Sequence, residues 1–193
     1  MKIIIINKLI KLVVVMFLTL ITSLSFAGTK LETLTATCSA CHGQLGISSN
    51  NEWPSLAGQK KGYLLQQLKA FKKGTRENAM MTGILNNISD EQLDNIAQHY
   101  ASLPFNKAKA SIINKAGKNK RANCISCHGM QGKTVNDTWP NLAGQNKGYL
   151  LKQLKDFSSK KRKSIIMNVI ANELNEQQMI DVAEYYQQIG SKY

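Results

Sequence analysis

Residues 53–71 read WPSLAGQKKGYLLQQLKAF, and residues 139–157 read WPNLAGQNKGYLLKQLKDF. Fifteen of the nineteen positions are identical at an offset of 86. The same offset carries Cys38, Cys41 and His42 onto Cys124, Cys127 and His128, and Tyr100 onto Tyr186. No gap is needed between residues 38 and 103. This is a duplication, and it sets two tandem units. Their boundary falls near Pro104–Asn106. The match fades ahead of each cysteine pair, where one unit has GTKLETLTAT and the other NKAGKNKRAN.

Within each unit the local signals are helical. Tyr63, Leu64, Leu68 and Phe71 recur at helical intervals, and Gly74 follows as a natural stop. Ser89-Asp90-Glu91-Gln92 has the form of a capping box. It opens a helix with Leu93, Ile96, Ala97 and Tyr100 on one face, closed by Pro104. The second unit repeats this with Asn175 as cap and Met179, Val182, Ala183 and Tyr186 inside. No strand-like alternation of useful length appears. The expected fold class is all-α: two small bundles of short helices, covering 28–104 and 105–193, the latter including a basic linker. Units this small bury little apolar surface and commonly need a staple.

The cysteines name one. Cys38-Ser39-Ala40-Cys41-His42 and Cys124-Ile125-Ser126-Cys127-His128 are both C-x-x-C-H, the pattern of covalent c-type haem attachment. Cysteines at i and i+3 share one side of a helical turn. Their sulfurs can add to the two vinyl groups along one haem edge, and the adjacent histidine then presents its imidazole to the iron. A zinc ribbon would need the two pairs closer together, whereas 82 residues separate Cys41 from Cys124. A thioredoxin-like site would need a βαβ setting that is missing. The third histidine, His99, falls opposite Tyr185 and is no repeated feature.

The first 27 residues carry lysines at 2, 8 and 11, an apolar run from Leu12 to Ile21 and a Ser25-Phe26-Ala27 end. That is the layout of a secretory signal, with an uncleaved anchor as the competing reading. Export argues against nucleic acid as a partner. The chain carries a formal net charge of +13. Residues 28–103 hold seven Lys/Arg against six Asp/Glu, and residues 104–193 hold fifteen against six. The basic runs lie in 107–121 and in KKRK at 160–163. They read either as a solvated face or as a docking surface for an acidic partner or an anionic membrane.

Two C-x-x-C-H units, each followed by W-P-x-L-A-G-Q-x-x-x-Y-L-x-x-Q-L and a later Met, resemble the dihaem cytochrome c4 family. The resemblance covers essentially all of 28–193. It implies two class I cytochrome c domains, two haem c groups attached through Cys38, Cys41, Cys124 and Cys127, and His/Met ligation with His42 and His128 as the proximal ligands. It implies a periplasmic electron carrier working between redox proteins such as a quinol-oxidising membrane complex and a terminal oxidase. It also implies that the carbonyls of Pro54 and Pro140 accept the histidine Nδ1–H. Trp53 and Trp139 would line the haem edge or simply pack. The approach KAGKNKRANC lacks the aromatic residue expected there, so the crossing of the N- and C-terminal helices is expected to be abbreviated or poorly packed.

The repeat selects the distal ligands. Met80 falls opposite Ile166, whereas Met81 falls opposite Met167. If both irons are closed, only Met81 and Met167 can supply a thioether in both units. Neutral imidazole and thioether can fill both axial positions in either oxidation state, which suits electron transfer and leaves oxygen or peroxide no binding position. A haem subunit tethered to a membrane oxidase or dehydrogenase is the alternative, and a dihaem peroxidase a more remote one. Positive charge stabilises reduced haem, so the His128 haem is expected to have the higher potential. A tenfold preference needs only ~59 mV, and screening over roughly 8–10 Å keeps the shift modest. Potentiometric titration of single-haem variants checks this; a higher potential at the His42 haem overturns it.

Overall fold

The computed structural model describes residues 31–190. The signal segment proposed for residues 1–27 lies outside the described residues. Packing divides the chain into two units, Met1–Thr37 and Cys38–Tyr193. Of the first, residues 31–37 are described and are helical, with Thr35 Oγ1 donating back to Leu31 O at 3.0 Å.

The second unit holds both haem motifs and is helical, with no strand among the described residues. A last helical turn over 38–42 (α1) carries the first motif. It is followed by α2 (Lys61–Lys72), α3 (Ala79–Leu85) and α4 (Asp90–Ser102). The second copy has α5 (Lys115–Lys120), α6 (Ala122–His128), α7 (Lys147–Ser158), α8 (Ile165–Asn172) and α9 (Glu176–Gln188). Both expected capping boxes form. Ser89 and Gln92 exchange bonds at the start of α4, and Asn175 and Gln178 do so at the start of α9. The apolar faces are as expected: Leu93, Ile96, Ala97 and Tyr100 on α4, and Met179, Val182, Ala183 and Tyr186 on α9, are buried.

The crossing in the second half is abbreviated, as expected, since α5 has six residues, but it is not poorly packed. α5 packs closely on α9. Gly117 is the reason: a Cβ there would overlap Asp181 O and lie 2.8 Å from Tyr185 Cβ. A bare glycine lets the two backbones approach, so close contact replaces the missing aromatic side chain. Asn114 fixes the approach, capping α5 through Gly117 N–H and donating to Asp181 Oδ1 at 3.0 Å.

The two halves face each other through a set of mirrored polar contacts. Neither α2 nor α7 has a side-chain cap of its own. Each borrows one from the other half. Gly62 N–H donates to Asp137 Oδ2 and Tyr63 N–H to Asp137 O, both at 2.8 Å. Gly148 N–H donates to Asn51 Oδ1 at 3.0 Å and Tyr149 N–H to Asn51 O at 2.9 Å. The unpaired amides of a helix start are thereby satisfied across the interface.

Deeper in, Arg76 and Arg162 stack on Phe71 and Phe157, with guanidinium carbons 4.4 and 4.5 Å from the ring centres. Each arginine donates to the amide oxygens of both Gln67 and Gln153. Arg76 also reaches the Tyr149 hydroxyl at 3.2 Å, and Arg162 reaches that of Tyr63 at 3.0 Å.

Side chains that differ between the halves break the symmetry: Asn141 Nδ2 donates to Gly58 O at 3.1 Å, where its counterpart Ser55 has only a hydroxyl. Asn146 Nδ2 donates to Ser48 O, Asn50 O and Trp53 O at 3.3, 2.9 and 2.7 Å. Its counterpart is Lys60, which has no such side-chain role. Asn146→Ala leaves these carbonyls short of a donor and is expected to destabilise the protein by about 2 kcal/mol. Lys60→Ala is expected to cost less than ~0.5 kcal/mol. Denaturant unfolding of the two variants gives the comparison.

Candidate haem sites

Each motif sits on the last turn before a glycine that reverses the chain. Gly43 (φ +84°) follows α1, and Gly129 (φ +79°) follows α6. A Cβ at either position would also overlap a carbonyl, that of Ile47 or Lys133. The left-handed backbone turns the chain back under the histidine. The loop then returns to a second glycine: Leu56 and Ala57 donate to Gly46 O, and Leu142 and Ala143 to Gly132 O. Gly58 and Gly144 N–H donate to Tyr100 O and Tyr186 O on α4 and α9, both near 2.9 Å. The W-P-x-L-A-G stretch is thus held from both ends.

This geometry brings Pro54 O to 2.9 Å from His42 Nδ1, and Pro140 O to 2.9 Å from His128 Nδ1. A carbonyl can only accept, so each Nδ1 carries the proton and each Nε2 keeps its lone pair. Burial pulls both imidazoles below the ordinary histidine range, while the carbonyl contacts work the other way. Burial thus favours the neutral form of both rings, and the carbonyls orient them with the Nε2 lone pair available.

The four cysteines are half-buried, and no disulfide joins them. Burial pushes the thiols of Cys38 and Cys124 up, partly countered by the hydroxyls of Tyr100 and Tyr186. Tyr186 Oη is buried without a hydrogen-bond partner of normal geometry among the described residues. Among those residues no three His, Cys, Asp or Glu converge to hold a bare metal ion. Paired thiols beside one tied, neutral imidazole fit a covalently attached haem.

Met81 and Met167 occupy the same place in their halves. Each is the third residue of a short helix, and its N–H is taken by the cap. Asn78 Oδ1 caps α3 through Met81 N at 3.0 Å, and Ser164 Oγ caps α8 through Met167 N at 3.2 Å. Thr82 ties α3 to Phe71 O, and Asn168 ties α8 to Phe157 O. Both methionines are half-buried, while Met80 and Ile166 are 59% and 54% exposed. His99 lies on α4, edge-on to Tyr100 with ring centres 5.1 Å apart. Trp53 is 37% exposed and Trp139 half-buried.

The cytochrome c family model matches residues 28–104 and again residues 115–190. Cytochrome c4 from Pseudomonas aeruginosa is 35% identical over 167 residues, covering 79% of this chain and 83% of that protein. The chain belongs to the cytochrome c4 family. Like its relatives it binds two covalent haem c groups and is an electron carrier of the cytochrome c4 kind. The solved structure of reduced recombinant cytochrome c4 from Pseudomonas stutzeri superposes with a TM-score of 0.75 at 31% identity. It covers 83% of this chain and 97% of that one. A protein from Stutzerimonas stutzeri named thiosulfate dehydrogenase electron acceptor is 31% identical over 173 residues, covering 80% of each chain.

Three pairs of residues with a clear role escaped the sequence reading: Gln59 and Gln145, Gln67 and Gln153, and Arg76 and Arg162. The available signal was identity at polar positions of the repeat: the glutamines lie within the W-P-x-L-A-G-Q-x-x-x-Y-L-x-x-Q-L stretch, and the arginines match at the same offset beyond it. In a family where haem supplies the redox change, the polypeptide must hold its ligands through both oxidation states. Met81→Ala is expected to abolish the low-spin His/Met spectrum at the first haem, and Met80→Ile to leave it intact. Absorption and NMR spectra of the reduced proteins decide between the two methionines.

Proposed function

We propose that the protein is a periplasmic carrier exchanging electrons, one per haem, between a quinol-oxidising membrane complex and a terminal oxidase. Residues 1–27 are the export signal, and 28–104 and 105–193 each form one cytochrome c domain. Cys38 and Cys41, and Cys124 and Cys127, attach the haems. His42 with Met81 and His128 with Met167 ligate the irons. Pro54 and Pro140 hold the proximal imidazoles. The observation that carries this reading is that both halves offer the same pair of ligands: a histidine tied at Nδ1 and a methionine fixed at the third position of a capped helix. Among the described residues no helix is long and apolar enough to cross a membrane.

A second reading concerns the donor. A protein named thiosulfate dehydrogenase electron acceptor also occurs in Thiomonas intermedia, 29% identical over 167 residues. The same carrier chemistry would serve a thiosulfate-oxidising enzyme as donor, with the ligands unchanged.

With both axial positions filled, carbon monoxide is expected to leave the Soret band of the reduced protein unchanged at either haem. A shift at one haem would favour the peroxidase alternative. Oxidation by an acidic acceptor is expected to slow steeply as salt rises, because the basic second half steers the encounter. A rate independent of ionic strength would remove that docking role.

A further inference from the structure

The peptide group joining Pro54 to Ser55 is used at both ends. Its carbonyl accepts His42 Nδ1–H at 2.9 Å. Its N–H, that of Ser55, donates to Gln145 Oε1 at 2.9 Å. Gln145 belongs to the other half of the molecule. The mirror image is complete. The Pro140–Asn141 carbonyl accepts His128 Nδ1–H at 2.9 Å, and the Asn141 N–H donates to Gln59 Oε1 at 2.8 Å.

The orientation of the two glutamines is not ambiguous. Gln145 Oε1 accepts a second N–H, from Asn146 at 2.9 Å, and its Nε2 donates to Ser55 O at 2.8 Å. Gln59 Oε1 accepts a second N–H from Lys60 at 2.9 Å, and its Nε2 donates to Asn141 O at 3.0 Å. A carbonyl partner on one atom and two N–H partners on the other admit a single assignment of oxygen and nitrogen. Both side chains are buried, so water does not replace these bonds readily.

We infer that Gln145 and Gln59 are positioning residues exchanged between the halves, each setting the donor strength of the other half's proximal histidine. An amide whose N–H is engaged becomes a better acceptor at its own C=O, by about 10–30% per bond. A better acceptor at Nδ1–H makes the imidazole a stronger donor at Nε2. A stronger donor stabilises Fe(III) and lowers the potential. Three links therefore run in line from each glutamine, through one peptide and one imidazole, to the opposite iron. The inference rests on the reading that His42 and His128 ligate iron.

The test uses the full chain with both haems attached. Gln145→Met keeps the length and removes both polar atoms. It is expected to raise the potential of the His42 haem, shifting its redox equilibrium about threefold toward the reduced form (~28 mV at ~59 mV per tenfold). The His128 haem should not move. In the reduced protein the Nδ1–H proton resonance of His42 should move upfield and that of His128 stay. Gln59→Met is expected to do the reverse. Gln145→Glu restores an oxygen acceptor for Ser55 N–H and is expected to move the His42 resonance back downfield, which carries the test if the Met variant fails to pack.

Equal shifts at both haems, a shift at the wrong haem, or an unmoved Nδ1–H resonance would overturn the inference. Failure of the ligand assignment would show separately, as absence of a low-spin His/Met spectrum in the unmutated protein.

Discussion

The hydrogen bond from histidine Nδ1 to a proline carbonyl is the constraint on which each half is built. Both are 2.9 Å long, and each joins a cysteine-bearing helix to the W-P-x-L-A-G loop. Proline suits the acceptor position for a physical reason: its φ is fixed, so the carbonyl that follows has a narrow range of directions. The glycine after the histidine makes the reversal possible, and the amides of Gly58 and Gly144 anchor the far end of the loop to α4 and α9. Through this contact the loop fixes the orientation of the imidazole ring.

The interface follows from that loop. One residue beyond each proline, the peptide turns outward and is met by a glutamine of the other half. The helix after each loop starts with amides that the other half caps. Two arginines then lie among neutral amides, phenols and aromatic faces, with no carboxylate bonded to either among the contacts described. Both arginines are half-buried; taking a cation partly out of water without an anionic partner is costly, and here the charge is spread over several oxygen acceptors and two rings. Burial alone would raise the phenol of Tyr149, but Arg76 and Arg162 outweigh it and hold that group below the usual phenol range. This concentration of positive potential between the halves is a cost that close packing of two haem domains has to meet.

Local rules read the sequence well wherever partners are close in the chain. The capping boxes at Ser89 and Asn175 lie within four residues, and the buried faces of α4 and α9 follow from helical spacing. The duplication assigned the cysteines, histidines and methionines to matched positions. What could not be read is what spans the halves. Asp137 serves α2 from 75 residues away, and Asn51 serves α7 from 97. No capping rule searches at that distance. The α5–α9 crossing is illegible for a different reason: a bulky side chain is the usual signal of such a contact, whereas this one depends on the lack of one at Gly117.

The four differences within the nineteen-residue repeat show which interactions the duplication has preserved. Ser55 and Asn141 differ, yet the opposing glutamine reads only their backbone. Both side chains still accept the N–H of a matched residue, Ser48 or Thr134. Lys60 and Asn146 differ, and again only the backbone is shared: each N–H bonds to Oε1 of the preceding glutamine, and each carbonyl accepts from Leu64 or Leu150 N–H. That freedom let Asn146 take up three carbonyls across the interface. Gln66 and Lys152 are exposed, and Ala70 stands where Asp156 pairs with Lys152. None of the four changes removes a hydrogen bond that the halves have in common. The glutamines themselves are unchanged, as are the prolines and the residues that follow the same path to the histidines. Elsewhere in the repeat the side chain itself carries the shared bond through a change of residue type, as with Asp137 and Asn51 at the starts of α2 and α7 and with Thr82 and Asn168 on Phe71 O and Phe157 O.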